Sequence, residues 1–440
     1  MNQAKNVKKL GLWMAMALVI GNMIGSGIFF LPSSLGAYGG ISILGWLFTS
    51  AGALILAFIF SRLSQIVRNV SGGPYAYTRD RFGDFPGFLV AWGYILSVWG
   101  SNAAITVAFV SYLSVFFPVL GTNPLAGAGT GILAITFLTW LNTRPVRNAG
   151  KFQVITTSLK LMPLLLMAFV GIFYLNPEHF HPFNTSTSSH FEAISHTAAL
   201  TLFAFLGFEC ATIPAEKIAN ADRIIPRATI WGTLITITVY LLGTVAVMGI
   251  ISPMELTQSN APFADAAARI WGSPGRYLVA GGVVVSTFGA LNGWILIQGQ
   301  IPYAAARDQL FPPLFKRTNR YDMPVTAILI GSAIITVAML MNYSRGLVKA
   351  FEFLILVTTT TVLLSYLFGA AAYALFILQG RNKLPGSSFK SLILPILGFA
   401  YALWAVSGTG MEPVYWGFLL LFAGIPFYVY IRFKASSSNE

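Results

Sequence analysis

The sequence predicts an all-α integral membrane protein with about twelve transmembrane helices, and three observations carry that expectation. Charged residues make up only 9% of the 440 positions and hydrophobic residues 56%, whereas soluble proteins carry roughly 25% charge. Such a chain cannot clothe a soluble surface. The apolar residues also fall in runs close to the ~20 that a helix rising 1.5 Å per residue needs to cross a bilayer. Finally, the basic residues crowd into alternate loops. The ~10-residue alternating segments of a membrane β-barrel are not seen.

Taken in order, the runs account for nearly every charge. The first, 10–32, follows Lys5, Lys8 and Lys9; it is too long for a cleaved signal and lacks a clear small-residue cleavage site. After 41–60 come Arg62, Arg68, Arg79 and Arg81. The pair 85–116 and 125–141 leads to Arg144, Arg147 and Lys151, and 152–174 with 192–214 leads to Lys217, Arg223 and Arg227. Beyond 228–252 and 275–304 lie Arg307, Lys316, Arg317 and Arg320. Runs 324–342 and 350–377 end at Arg381, Lys383 and Lys390, and 391–408 with 413–431 ends at Arg432 and Lys434. These loops collect 22 of the 27 basic residues; the opposite loops hold four, Arg269, Arg276, Arg345 and Lys349. By the positive-inside rule both termini are cytoplasmic and the span count is even. The net charge of +13 is thereby explained by topology, and a nucleic-acid partner loses its main support. The single cysteine, Cys210, excludes an internal disulfide. The four histidines, His179, His181, His190 and His196, share one stretch whose 184–190 portion is rich in serine and threonine, like a solvated loop. No metal site is expected there.

One basic residue escapes this sorting. Lys160 sits about ten residues, or ~15 Å, inside the fifth run, and Glu209 is its acidic counterpart in the sixth. Charges at that depth cost at least ~2.5–3.5 kcal/mol, so they face a cavity or a partner. A structural ion pair or a snorkelling lysine is the plain explanation; a role in transport is the sharper one. Glycines add a second signal. Gly21 and Gly25 fit simple small-residue helix packing, yet Gly25-Ser26-Gly27 at membrane depth also suits an unwound helix lining a cavity. Gly207 followed by Pro214 places a second disruption in run six. Interrupted segments at corresponding positions of two halves mark a transport site, and an offset of five fits an inverted five-plus-five repeat.

With these residues in place the sequence resembles the amino acid–polyamine–organocation superfamily. The likeness rests on Gly25-Ser26-Gly27-Ile28-Phe29, on Ser71-Gly72-Gly73-Pro74-Tyr75-Ala76-Tyr77, and on Ala305-Ala306-Arg307-Asp308-Gln309-Leu310-Phe311-Pro312-Pro313. It extends over nearly the whole chain. Residues 261–267, Asn292-Gly293-Trp294 and 112–118 are most similar to the bacterial basic amino acid/polyamine antiporters, the arginine/agmatine exchangers in particular. The resemblance implies a single polytopic membrane domain with the LeuT-like fold: inverted repeats over 10–174 and 192–377, discontinuous helices one and six, and two peripheral helices over 391–431. It also implies a bacterial cytoplasmic (inner) membrane setting, small-molecule amino acid or amine substrates, lipid as surroundings, no cofactor, and compatibility with a homodimer.

For the site, the resemblance implies that the substrate carboxylate meets the N–H groups around Ser26, Gly27 and Ile28, where a half-helix dipole favours an anion. The ammonium would meet carbonyls near Phe203, Ala204 and Leu206. Asn22, Asn102 and Thr358 offer polar contacts, and Trp294 a stacking or cation–π cover. Phe203 would form the outer gate, and Tyr94, Glu209 and Tyr366 the inner one; the two tyrosines serve equally well as interhelical hydrogen-bond glue. Two positions depart from the exchangers: Phe203 replaces a tryptophan, and Lys160 stands where they lack a lysine. In proton-coupled and neutral amino acid relatives that lysine takes the place of a sodium ion between spans one, five and eight. Here it would reach carbonyls near Gly21 and Ser286 or Thr287, as a fixed surrogate cation or as a proton carrier.

An amino acid exchanger working by alternating access is therefore expected. A proton-coupled transporter of small neutral amino acids is the alternative, and a channel or sensor the remote one. A channel needs a filter motif, an enzyme a nucleophile, metal set or paired carboxylates, and a nucleotide-driven pump a phosphate loop. None of these is visible in the spans.

Overall fold

The structure, a computed structural model, describes residues 10–67, 72–144, 149–213, 215, 218–321, 323–380 and 389–437. Of the residues singled out above, Lys5, Lys8, Lys9, Arg68, Ser71, Arg147, Pro214, Lys217, Arg381 and Lys383 lie outside these, as do the side chains of Lys151 and Lys390.

In chain order the helices are α1 (Leu12–Met23), α2 (Gly27–Leu35), α3 (Ser42–Ile66), α4 (Pro74–Phe82), α5 (Asp84–Leu113), α6 (Val119–Thr122), α7 (Pro124–Asn142), α8 (Ala149–Gly171) and α9 (His190–Leu202). There follow α10 (Ala221–Ile250), α11 (Pro253–Gln258), α12 (Pro262–Arg307), α13 (Val325–Tyr343), α14 (Leu347–Leu378), α15 (Ile393–Gly408), α16 (Met411–Phe422) and α17 (Gly424–Ser437). Among the described residues nine segments are long and apolar enough to cross a membrane, and three shorter apolar helices lie at Lys160–Tyr174, Val325–Met341 and Ile393–Gly408. Together they fall on the twelve predicted runs.

Large apolar side chains cover the outside, among them Leu133, Phe137 and Trp140 on α7 and Phe427, Val429 and Phe433 on α17. A soluble protein rarely exposes so continuous an apolar surface; a bilayer solvates it. Inside, α5 packs against both α14 and α12, while α1 packs against α10 and α8. Small residues permit the close approaches, as where Gly45 of α3 lies against Thr197 of α9.

The eighth run is preceded by a helix that was not expected. The span predicted over 275–304 falls on the helix after Gly272. What the sequence does not predict is the shorter helix that precedes it from Pro262, joined through non-helical Gly272 at φ 67°, ψ −160°, with Pro274 just beyond. Hydropathy stops short there because Asp265 and Arg269 dilute the segment. Packing nevertheless keeps it helical and buried: Phe263 meets Phe29 edge-on at 5.5 Å, and its N–H donates to the Tyr112 hydroxyl at 3.3 Å. That hydroxyl in turn donates to the Phe29 carbonyl at 2.6 Å.

Candidate functional site

The first membrane segment breaks at its middle. α1 ends at Met23, Ile24 takes ψ 83°, and α2 starts at Gly27. A helix end leaves its last carbonyls and the next helix's first N–H groups unpaired, so each has to find a partner. The carbonyls of the last turn of α1 are met from three directions. Lys160 Nζ of α8 donates to the Gly21 carbonyl at 3.0 Å, Trp294 Nε1 of α12 to that of Asn22 at 3.3 Å, and the Tyr240 hydroxyl of α10 to that of Met23 at 2.6 Å. The carbonyl end is filled by the protein itself. At the start of α2 the situation is reversed. The N–H groups of Gly27 and Ile28 meet no acceptor among the described residues, and the buried Ser26 hydroxyl also has none.

The sixth segment breaks beside it. α9 ends at Leu202, one 3-10 turn covers Phe203–Phe205, and a second begins at Cys210. Between them Gly207 takes φ 112°, which favours glycine. A Cβ there would lie 3.2 Å from the Asn22 carbonyl carbon and the Met23 nitrogen. The two breaks therefore touch, and only a residue without a side chain permits it. The Tyr240 hydroxyl, 3.1 Å from the Ala204 carbonyl, bridges them. The Phe203 carbonyl accepts from Leu206 N–H at 3.1 Å, whereas no donor reaches the Leu206 carbonyl among the described residues.

Between the breaks lies a void of about 10 Å³ lined by Asn22, Met23, Gly25, Ser26, Gly27, Ser101, Ile105, Phe203, Ala204, Leu206 and Trp294, space for about one water. Seven of the residues expected at the site meet there. Of the others, Ile28 is buried one residue into α2, and Asn102 turns away, its side-chain nitrogen donating to Gln298 Oε1 at 3.0 Å. Adjacent helical positions differ by about 100°, so Ser101, not Asn102, borders the void. Thr358 carries a buried hydroxyl without a partner, pressed close to Gly100.

Two packed side-chain clusters lie near the void. In one, Phe203 packs edge-on against Phe351, ring centres 5.9 Å apart, and Phe351 against Phe30 at 4.7 Å. In the other, buried Glu209 accepts from the Tyr94 hydroxyl at 2.7 Å and the Tyr366 hydroxyl at 3.4 Å. Tyr94, Ser101 and Ile105 share one face of α5, at i, i+7 and i+11. Lys160, 2% exposed, lies behind α1. Thr157 supports it by donating to the Ala17 carbonyl at 3.1 Å. Of the other expected partners, Thr287 bonds back to the Val283 carbonyl at 2.8 Å, and the buried Ser286 hydroxyl has no partner.

The remaining two motifs meet at one face. The Tyr75 hydroxyl of α4 donates to Asp308 at 3.0 Å, Arg79 lies 2.8 Å from Asp84 and 3.6 Å from Asp308, and Arg432 of α17 pairs with Asp84. Burial and the Asp308 carboxylate push the Tyr75 phenol well up, so its hydroxyl stays a donor. Among the histidines, His179 and His196 bond separate backbone carbonyls, those of Gly249 and Gly408.

Tyr240, Ser101 and Gln298 were not anticipated. The phase of α5 relative to Tyr94 points to Ser101. Nothing in the sequence distinguishes Tyr240 from the other 16 of 17 tyrosines, and Gln298 is one of two glutamines, with Gln300, in an otherwise apolar run.

A family model described as amino acid permease matches residues 10–419. A putative arginine/ornithine antiporter of Bacillus subtilis (strain 168) is 32% identical over 99% of this chain and 100% of its own length. The putrescine transporter PotE of Escherichia coli (strain K12) is 30% identical over 100% of both chains. An arginine/agmatine antiporter of Chlamydia abortus is 29% identical over 97% of this chain and 91% of its own.

Proposed function

The chain belongs to the amino acid permease family of the amino acid–polyamine–organocation superfamily, and from that premise we propose that it exchanges basic amino acids and related amines across the bacterial inner membrane. The observation that carries the reading is the contrast between the two ends of the broken first segment. The carbonyl end of α1 is already occupied, with a lysine ammonium among its donors, while the N–H end of α2 is left open toward the void. An open helix N-terminus suits a carboxylate.

In this reading the substrate carboxylate takes the N–H groups of Gly27 and Ile28 with the Ser26 hydroxyl. The ammonium takes the free Leu206 carbonyl, and Asn22, Ser101 and Trp294 surround the side chain. Phe203 is the outer gate; Tyr94, Glu209 and Tyr366 form the inner one. Lys160 is a fixed cation holding the end of α1, which makes an inorganic cation at that point unnecessary. The 22-to-4 distribution of basic residues supports cytoplasmic termini. The void is far smaller than an amino acid, so substrate enters when one gate parts, and inverted repeats rocking about this point supply the motion. No covalent step is involved.

A counterflow screen tests this. Proteoliposomes loaded with arginine, ornithine, agmatine, putrescine, alanine or serine are given labelled arginine outside. Uptake with the basic and amine loads, and none with alanine or serine, is the expected pattern; Ser26→Lys, which puts a cation on the carboxylate site, should abolish it with the protein still monodisperse. Exchange confined to alanine and serine overturns the substrate class, and unaltered exchange by Ser26→Lys overturns the site.

A further inference from the structure

We propose that a groove between the segment following α12 and the last turns of α17 binds the phosphate headgroup of an anionic phospholipid. The cavity is about 820 Å³, large beside the void at the transport site and on the face where the Tyr75–Asp308 contact lies. The apolar lining of its floor includes Phe311 and Ile431, both buried, and Leu314, which is exposed. Its rim carries three cations, Lys316, Arg317 and Lys434, with Tyr430 beside them and no acidic residue among those lining it. None of the three cations has an ion pair among the described residues. Several other described basic side chains on that face are engaged: Arg79 and Arg432 pair with acids, Arg81 with Asp80, and Arg320 lies over Tyr321.

The chemistry favours a two-part ligand. Three ammonium or guanidinium groups converging without a counter-anion call for a phosphate, which arginine binds with a two-pronged fork and lysine as a point charge. A soluble phosphate compound would leave the apolar floor uncovered. That floor is continuous with α17, whose Phe427, Val429 and Phe433 are more than half exposed toward the hydrocarbon, and Lys434 stands where that apolar stretch stops. An acyl chain along α17 with its phosphate at the rim satisfies both halves. Basic pockets between helix ends are a recurrent way of holding acidic lipids. The lipid would brace α17 against Phe311, whose ring lies 5.8 Å from that of Phe88 on α5, and so stiffen the scaffold beside the motif that ends α12.

The test is lipid retention by the full-length protein, read by native mass spectrometry. Protein is purified in detergent, titrated with phosphatidylglycerol or phosphatidylcholine, and challenged with inorganic phosphate and glycerol 3-phosphate. Phosphatidylglycerol should bind at least about tenfold more tightly than phosphatidylcholine, and the variant Lys316→Gln/Arg317→Gln/Lys434→Gln should lose that preference. Leu314→Glu, which keeps the cations but puts a carboxylate on the floor, should weaken it too. A control removing Arg62, Arg223 and Arg227, basic residues elsewhere on that face, should leave it intact. Equal loss in the control would mean diffuse charge attraction, and equal affinity for the soluble phosphates a site for free phosphate. Unchanged retention in the groove variants would place the lipid elsewhere. Each of these three results overturns the proposal.

Discussion

Tyr240 has one hydroxyl proton, yet its oxygen lies 2.6 Å from the Met23 carbonyl and 3.1 Å from that of Ala204. Both carbonyls sit where a helix has been interrupted. That of Met23 also accepts from Gly25 N–H at 2.8 Å, whereas that of Ala204 has no second donor among the described residues, and an unpaired buried acceptor costs about 1–3 kcal/mol. Tyr240→Phe preserves the ring contacts with Trp46 and Phe205 and removes only the bridge. Its expected consequence is a loss of stability of about 1–3 kcal/mol together with slowed exchange, because the two breaks are no longer tied to each other. Thermal unfolding in detergent and initial counterflow rates measure the two effects separately. A variant with wild-type turnover would reduce Tyr240 to a packing residue. Lys160 works at the same scale. Its ammonium answers one carbonyl, that of Gly21, at a depth where a charge without a partner is expensive.

Among the elements, the contact between the two breaks matters most. Gly207→Ala should damage the site in two ways, through the positive φ and through the 3.2 Å approach to Asn22 and Met23. Gly83→Ala provides the comparison: Gly83 has φ 86° but open space around its would-be Cβ. Both variants should lose about 1–2 kcal/mol from backbone strain, but only Gly207→Ala should lose arginine binding by calorimetry. Equal binding by the two would mean that the breaks do not need to touch. On the opposite face the clamp of Tyr75 and Arg79 on Asp308 joins two of the three family motifs. Arg79 and Asp308 are about a third exposed, so their ion pair contributes little stability, while the buried Tyr75 hydroxyl fixes the position of Asp308.

What the sequence disclosed follows from this geometry. Gly27 and Gly207 were legible because Gly207 takes a positive φ and Gly27 approaches Ala204 closely, and glycine leaves a mark. Lys160 and Glu209 were legible because charge is rare at membrane depth. Trp294 was recognised only through its motif. Tyr240 was hidden, since a tyrosine in an apolar run looks the same whether it bonds a broken helix or packs beside lipid. The short helix ahead of the Gly272 break was hidden as well: Asp265 and Arg269 read as loop, while Phe263 and its neighbours pack into the core.

On the scale of the whole molecule, a void the size of one water is, in the proposed reading, closed on both sides by different chemistry, aromatic rings on one and a carboxylate with two phenols on the other. In that reading substrate moves as one seal opens at a time, and the lysine that donates to the carbonyl end of α1 stands in for an external coupling ion. The central claim is therefore strict exchange. It is tested most directly by labelled arginine uptake into proteoliposomes that are either empty or loaded with ornithine, each with and without an imposed pH gradient. Uptake should require the internal ornithine, proceed one for one with its release, and be insensitive to the gradient. Uptake into empty vesicles driven by the pH gradient would contradict the account.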